Sequence, residues 1–249
     1  MVKKENIKQL LNLSFVEYTN QTYLVGEYDL PYATCPNLIC IDYFALFSET
    51  YNYQKTNNTC VCFYQYDNEF DGINGLFNAI YYREEKLLEK YKNRLKNVKY
   101  VVAPDYSRCG DIPRIENIYR LFKSRIVSNW LLLECNIVVI PNITYANENY
   151  FDVMLSGMED TEIVAISTKG SIKEPKEKEL LLKAIKYTTD NLHQLKKFFV
   201  YSVCSSDDTI HKLFEYPSSK GIEIVVPSNT LKERNVASRK ARQNGQDKK

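Results

Sequence analysis

The chain lacks most of the short patterns that announce an activity. It has no CxxC pair and no Cys/His spacing suited to zinc. It has no P-loop and no GxGxxG, which leaves the common phosphate-cradling loops unrepresented. There is no GxSxG elbow, and the two histidines, His193 and His211, lie in late helical stretches. Hydroxyls at strand ends therefore have no evident general base, which argues against a Ser–His–Asp hydrolase. No apolar run approaches the ~20 residues of a membrane span. The opening MVKKENIKQLLNLSF is basic but has neither the apolar core nor the cleavage site of a signal peptide. A cytoplasmic protein without a membrane partner is expected. One Trp stands against 20 Tyr, a bias read as coding composition rather than chemistry.

Charge and cysteine content narrow the reading further. From Lys232 to Lys249 there are seven Lys/Arg and two acids, a net of +5 within a chain total of +2, which leaves −3 for the rest. A polyanion partner is thus expected of the tail and not of the body. The seven cysteines (35, 40, 60, 62, 109, 135, 204) are odd in number and mostly sit in or beside apolar runs. They read as buried reduced thiols.

The stretch from Val98 to Tyr145 organises the chain. KYVVAP is a short β-branched run stopped by Pro104, the pattern of a strand buried on both faces. Asp105, Tyr106 and Ser107 follow at its carboxyl end, and Gly110 permits a turn. Asp111 and Pro113 mark a helix start. Ile115, Ile118, Tyr119, Phe122, Ile126, Trp130 and Leu133 recur at helical spacing as an apolar stripe. Residues 135–140, stopped by Pro141, form the next strand. A strand, a crossover helix and another strand make a right-handed parallel βαβ unit.

Other predicted strands are NLICID ending at Asp42, CVCFYQYD ending at Asp67, and the runs 162–168, 196–203 and 222–227. YLVGEYDLP (23–31) reads as a strand or hairpin arm, and a helix is expected to begin within residues 44–47. About seven short strands alternating with helices predict an α/β fold with a parallel sheet. An incomplete or distorted (β/α) barrel fits best, and an open doubly wound sheet is the alternative. The expected organisation is one domain over residues 1–230, with residues 1–22 as an N-terminal arm and 231–249 as a basic tail. Ser228 or Asn229 caps the tail helix.

The motifs FYQYD-x-x-F (63–70), PDYS (104–107), D-I-P (111–113), the 119–125 segment, VIPN (139–142) and ISTKG (166–170) occur in an order that resembles an uncharacterised bacterial and phage family, the domain of unknown function 4417. The resemblance spans roughly residues 24 to 227. It implies a single α/β domain often found in mobile elements, and no established activity. Tyr145 departs from a Trp-like family position, and Ser202 from a common Gly.

Parallel α/β folds collect chemistry at strand carboxyl ends. Asp105, Ser107, Arg108, Arg114, Asn142, Tyr145, Ser167 and Thr168 are accordingly the expected ligand-binding set. Arg108 and Arg114 are placed to meet an anion near a helix N-terminus. Arg120 and Arg125 are expected to pair with acids or lie on the outer face. Asp42, Asp67 and Asp105 end three predicted strands and, if convergent, suit Mg²⁺ or Mn²⁺. The alternative is that each Asp caps a turn. Lys232, Arg234, Arg239, Lys240 and Arg242 are the expected nucleic-acid contacts.

Three functions fit. The chain is an accessory protein of a phage or mobile element that binds a nucleotide or nucleic acid at its strand-end rim. Alternatively it is a metal-dependent phosphotransfer or hydrolytic enzyme. A third reading is a protein-interaction factor that blocks a host defence complex.

Overall fold

The computed structural model describes residues 21–246. All of the expected N-terminal arm except its last two residues lies outside them. The first described element is a short antiparallel hairpin, β1 (Leu24–Val25) and β2 (Leu30–Pro31). Then follow β3 (Tyr43–Leu46), β4 (Thr59–Cys62), α1 (Leu76–Tyr81) and α2 (Glu85–Leu95). The central unit comprises β5 (Tyr100–Val102), α3 (Arg114–Cys135), β6 (Val138–Ile140) and β7 (Asn142–Ile143). The second half contains α4 (Phe151–Met154), β8 (Ile163–Ser167), α5 (Pro175–Asn191) and β9 (Lys197–Tyr201). It closes with α6 (Asp208–Leu213), α7 (Glu215–Ser219), β10 (Glu223–Val225), β11 (Ser228–Asn229) and α8 (Thr230–Gln246).

The fold is α/β, and every pairing in its two larger sheets is parallel. One sheet has five strands in the order β11-β3-β4-β5-β6, the other four in the order β10-β9-β8-β7. The single seven-stranded sheet expected from the sequence is therefore replaced by two. Neither shows the reversed strand order of a doubly wound sheet, and the ladder does not close into a barrel. The reason is local. Residues 138–143 enter the five-stranded sheet as β6 and leave in the four-stranded sheet as β7, with Pro141 between them. Ile140 O accepts from Ala103 N at 2.9 Å, whereas Pro141 O accepts from Ala165 N on the other side at 2.8 Å. Pro141 has no N–H to continue the first ladder. The same change of sheet occurs between β10 and β11, across Pro227.

Three cores result. Between the sheets, Phe44, Cys60, Cys62, Tyr64, Val102 and Ile140 meet Ile163, Ala165, Phe199 and Tyr201. Outside the five-stranded sheet, Val61, Phe63 and Val101 pack on Phe77, Leu88, Ile126 and Trp130. Outside the four-stranded sheet, Val164, Ile166, Phe198 and Val200 pack on Leu181, Ala184 and Ile185. Strands thus bury both faces, which explains their near-continuous apolar runs.

The structure corrects several local readings. NLICID is not a strand: Ile39 and Ile41 plug the inter-sheet core, while Leu38 is exposed and the ladder begins at Tyr43. YFAL is the strand, not a helix start. The stripe of α3 is rotated from the predicted one. Ile115 is 67 % exposed, with Tyr119 and Leu133 also outward, and Ile118, Leu121, Ile126, Val127, Trp130 and Leu131 face inward. Asp111 does not cap this helix. Its end is set by Asn136, which adopts the left-handed conformation at φ 53°. Asn229 caps α8 as expected, accepting from Lys232 N at 3.0 Å. Cys35, Cys60 and Cys62 are buried free thiols, whereas Cys40 and Cys109 are exposed. Among the described residues, no helix is long and apolar enough to cross a membrane.

Candidate functional site

Because the strands run parallel, their carboxyl ends share one rim. Four neighbouring ends line a cleft of about 250 Å³ there. Tyr64 follows β4, Asp105 to Arg108 follow β5, Thr144 and Tyr145 follow β7, Ser167 ends β8 and Lys169 lies just beyond it. Ser171 and Glu177, at the approach to α5, stand at its mouth. The PDYS turn and the segment after VIPN open onto the same side. They belong to different sheets, so the cleft straddles the seam between them.

Asp105 lies half-buried in this cleft. Burial pushes its carboxyl up to about 6, against the attraction of Arg108 and Lys169, while Asp67 adds to the rise. Arg108 is the less usual group. All three guanidinium nitrogens are sealed from solvent and have no hydrogen-bond partner among the described residues. The guanidinium stands 5.7 Å from the centroid of the Tyr150 ring, a cation–π distance. Burial holds it below its ordinary value, opposed by Tyr150 and Asp105, both of which favour the charge. Lys169 reaches across the seam and donates to Tyr64 O at 3.0 Å.

The floor of the cleft is aromatic. Tyr64 donates to Asn142 Oδ1 at 2.8 Å and packs 4.9 Å from the Tyr201 ring. Burial raises the Tyr64 and Tyr145 phenols above the usual tyrosine range. Asn142 is buried inside β7, beneath the cleft rather than in a turn, and its amide favours the charged form of Asp105.

Asp67 acts as a brace. It accepts from Ser107 N at 3.1 Å, from Ser107 Oγ at 2.8 Å and from Arg120 Nη1 at 3.1 Å. Arg120 also donates to Ser107 O at 2.9 Å and pairs with Glu116 at 3.0 Å. The Ser107 hydroxyl is thereby committed to fixing the loop that carries Asp105 and Arg108.

Other expected residues lie elsewhere. Arg114 is exposed, pairs with Asp152 at 3.3 Å and donates to Asn149 O. Thr168 is buried and donates to Tyr201 O at 3.2 Å. Asp42 precedes β3 and accepts from Thr56 and Asn58, which precede β4. It therefore sits at the opposite end of the strands from Asp105. The three aspartates do not converge, and among the described residues no group of three His, Cys, Asp or Glu is placed to hold a metal. Arg120 pairs with acids as expected, but Arg125 is buried inside the protein.

The chain matches the family described as domain of unknown function DUF4417 over residues 23–217. It belongs to that family. No curated protein and no solved structure matches it. The DUF4417 match covers every residue lining the cleft and ends before α8 begins.

That final helix carries the basic residues expected to contact nucleic acid. Lys232 is not free: its ammonium pairs with Asp207 at 2.8 Å and its side chain is 12 % exposed. Asn235 Nδ2 donates to Val203 O at 2.7 Å, which lays the helix beside the loop after β9, at the carboxyl-end side. Arg234, Arg239, Lys240 and Arg242 are exposed. Arg239 and Arg242 share a groove with Val203, Ser205 and Asn235.

Lys169, Tyr64, Ser171 and Glu177 line the cleft without standing out in the sequence. Lys169 lies within ISTKG, one place after the hydroxyls Ser167 and Thr168. Tyr64 reads there as the interior of a strand.

Proposed function

We propose that the strand-end cleft binds a small phosphate-bearing ligand of mononucleotide size. The observation that carries this reading is Arg108, a buried guanidinium with no bonded partner among the described residues, at the wall of a cleft that also holds Lys169. A buried cation without a partner costs free energy. An incoming phosphate meets Lys169 at the mouth and, with a shift of the Arg108 side chain, supplies the planar fork with a bidentate acceptor. Tyr145 offers a ring face at the rim on which a base can stack. The ligand would be held by both sheets at once.

The test is calorimetric titration with AMP, inorganic phosphate and adenosine. Binding in the order AMP, phosphate, adenosine supports the reading, with AMP binding weakened in Arg108→Met. Adenosine binding as tightly as AMP would refute it, as would no heat from either anion.

A second reading has its own observation. Asp105, with a carboxyl titrating near 6 in the same cleft, suits proton transfer in a phosphotransfer or hydrolysis reaction. The exposed cations of α8 lie on the same side of the molecule and would extend a cationic track for a longer polynucleotide. An accessory role in a mobile element is consistent with such a ligand.

A further inference from the structure

A second cavity, separate from the cleft, lies between α3, β6 and the segment that follows β2. Its volume is about 250 Å³, and its walls are mostly apolar, formed by Ala33, Ala103, Leu132 and Pro141. Polar side chains interrupt that lining, among them Thr34, Ser128, Arg125 and Asn129, and the Ser128 hydroxyl donates to Ser124 O at 2.8 Å. Arg125 is 4 % exposed and Asn129 is 6 % exposed, one helical turn apart on α3. Arg125 donates from Nη2 to Ser156 O at 3.1 Å and forms no ion pair among the described residues. After burial, the charge that most opposes its own is Arg108, and the acid that favours it, Glu159, is engaged with Gly157 N at 3.1 Å. A guanidinium carries five N–H donors, so most of its capacity is unused. Asn129 Nδ2 is buried and has no partner among the described residues.

We propose that this cavity binds a small monocarboxylate with an apolar body, its carboxylate on Arg125 and Asn129. Charge selects the sign, since Arg125 has no ion-pair partner among the described residues and Arg108 adds to the positive field on it, which together call for a negative charge. The apolar walls select against phosphate, whose second charge would be desolvated against them. The planar fork matches a carboxylate. A cavity of roughly 150 Å³ holds benzene, so the volume here accommodates an aromatic ring with its acid group. Burial of the ring against Leu132 and Pro141 contributes through the hydrophobic effect.

The experiment uses phenylacetate as probe, with phenylacetamide as the uncharged analogue and acetate as the acid without a body. Calorimetry is paired with NMR of the Asn129 side-chain amide. Phenylacetate is expected to bind roughly tenfold or more tighter than either control, as one charged hydrogen bond implies, and to shift the Asn129 amide. Arg125→Met should remove the preference for the acid over the amide. In case that buried substitution unfolds the chain, Ala33→Phe fills the cavity from an outer segment and should abolish binding while melting normally. Equal affinity for phenylacetate and phenylacetamide, no saturable shift, or undiminished binding in a folded Ala33→Phe protein would overturn the proposal.

Discussion

Arg108 and Arg125 invite comparison. Both are buried cations near Tyr150, and neither pairs with an acid among the described residues. Their surroundings differ. Arg108 borders a polar cleft with Asp105 and Lys169, and none of its nitrogens is bonded among the described residues. Arg125 lies on an apolar cavity, held by a single carbonyl, and burial pulls its guanidinium down to about 10. The same side chain beside a polar cleft with further charged groups favours a phosphate, and beside a mostly apolar cavity a carboxylate. Environment sets ligand class, and this difference is open to direct attack.

The largest effect is expected at Arg108. Arg108→Met should weaken AMP binding by roughly 10- to 100-fold, the worth of charged hydrogen bonds, without lowering the melting temperature. Arg125→Met should leave that titration unchanged. If both substitutions weaken AMP binding equally, the two sites are not distinct.

Asp105→Asn comes next. A carboxyl raised from 3.8 to about 6 disfavours its own charged form in the fold. Its contribution to stability is therefore greatest below its ordinary value and is lost as pH rises through about 6. The substitution should raise the melting temperature at pH 7.5 by several degrees, on the order of 1–2 kcal/mol after allowance for partial exposure, with little change at pH 3.5. The variant should bind AMP more tightly than the parent above pH 6, where the Asp105 carboxylate opposes the phosphate, and the difference should vanish below about pH 4. Differential scanning fluorimetry and calorimetry across pH check both points.

Asp67→Ala removes the brace under the Ser107 loop. Stability should fall by about 1–2 kcal/mol, and AMP affinity several-fold, with phenylacetate binding intact. The smallest effect belongs to α8. The double substitution Arg239→Ala, Arg242→Ala should leave AMP binding unchanged. It should reduce the salt dependence of single-stranded oligonucleotide binding, the slope of log K on log salt, by about 1.4, since each phosphate neutralised adds about 0.7. An unchanged slope would remove the helix from the proposed track.

Much of this arrangement is legible in the residues alone. Runs stopped by Pro104, Pro141 and Pro227 locate strands well, because a proline ends a ladder by chemistry rather than by context. Asp105, Ser107 and Arg108 stand out because they follow such a stop. NLICID and YFAL exchange roles between sequence and structure because both are short apolar runs, and periodicity over four to six residues does not separate them. What decides is pairing: residues 43–46 align with 59–62, whereas Ile39 and Ile41 fill the space between sheets. Lys169 is hidden because only the local path of the chain aims it into the cleft while Thr168 turns inward. Arg125 is hidden because a cation on a helix is ordinarily solvated, and nothing within α3 itself records the burial that other segments impose.

Pro141 has a mechanical consequence. By handing the chain from one ladder to the other, it leaves a line along which the two halves are joined through few backbone hydrogen bonds. Asp105 and Arg108 ride on one half, Tyr145 and Lys169 on the other. A molecule gripped by both acts as a rivet across that line. Loading the cleft should slow amide hydrogen exchange at Ala103 and Ala165, the two donors that flank the joint, more than it slows exchange in the strands on either side.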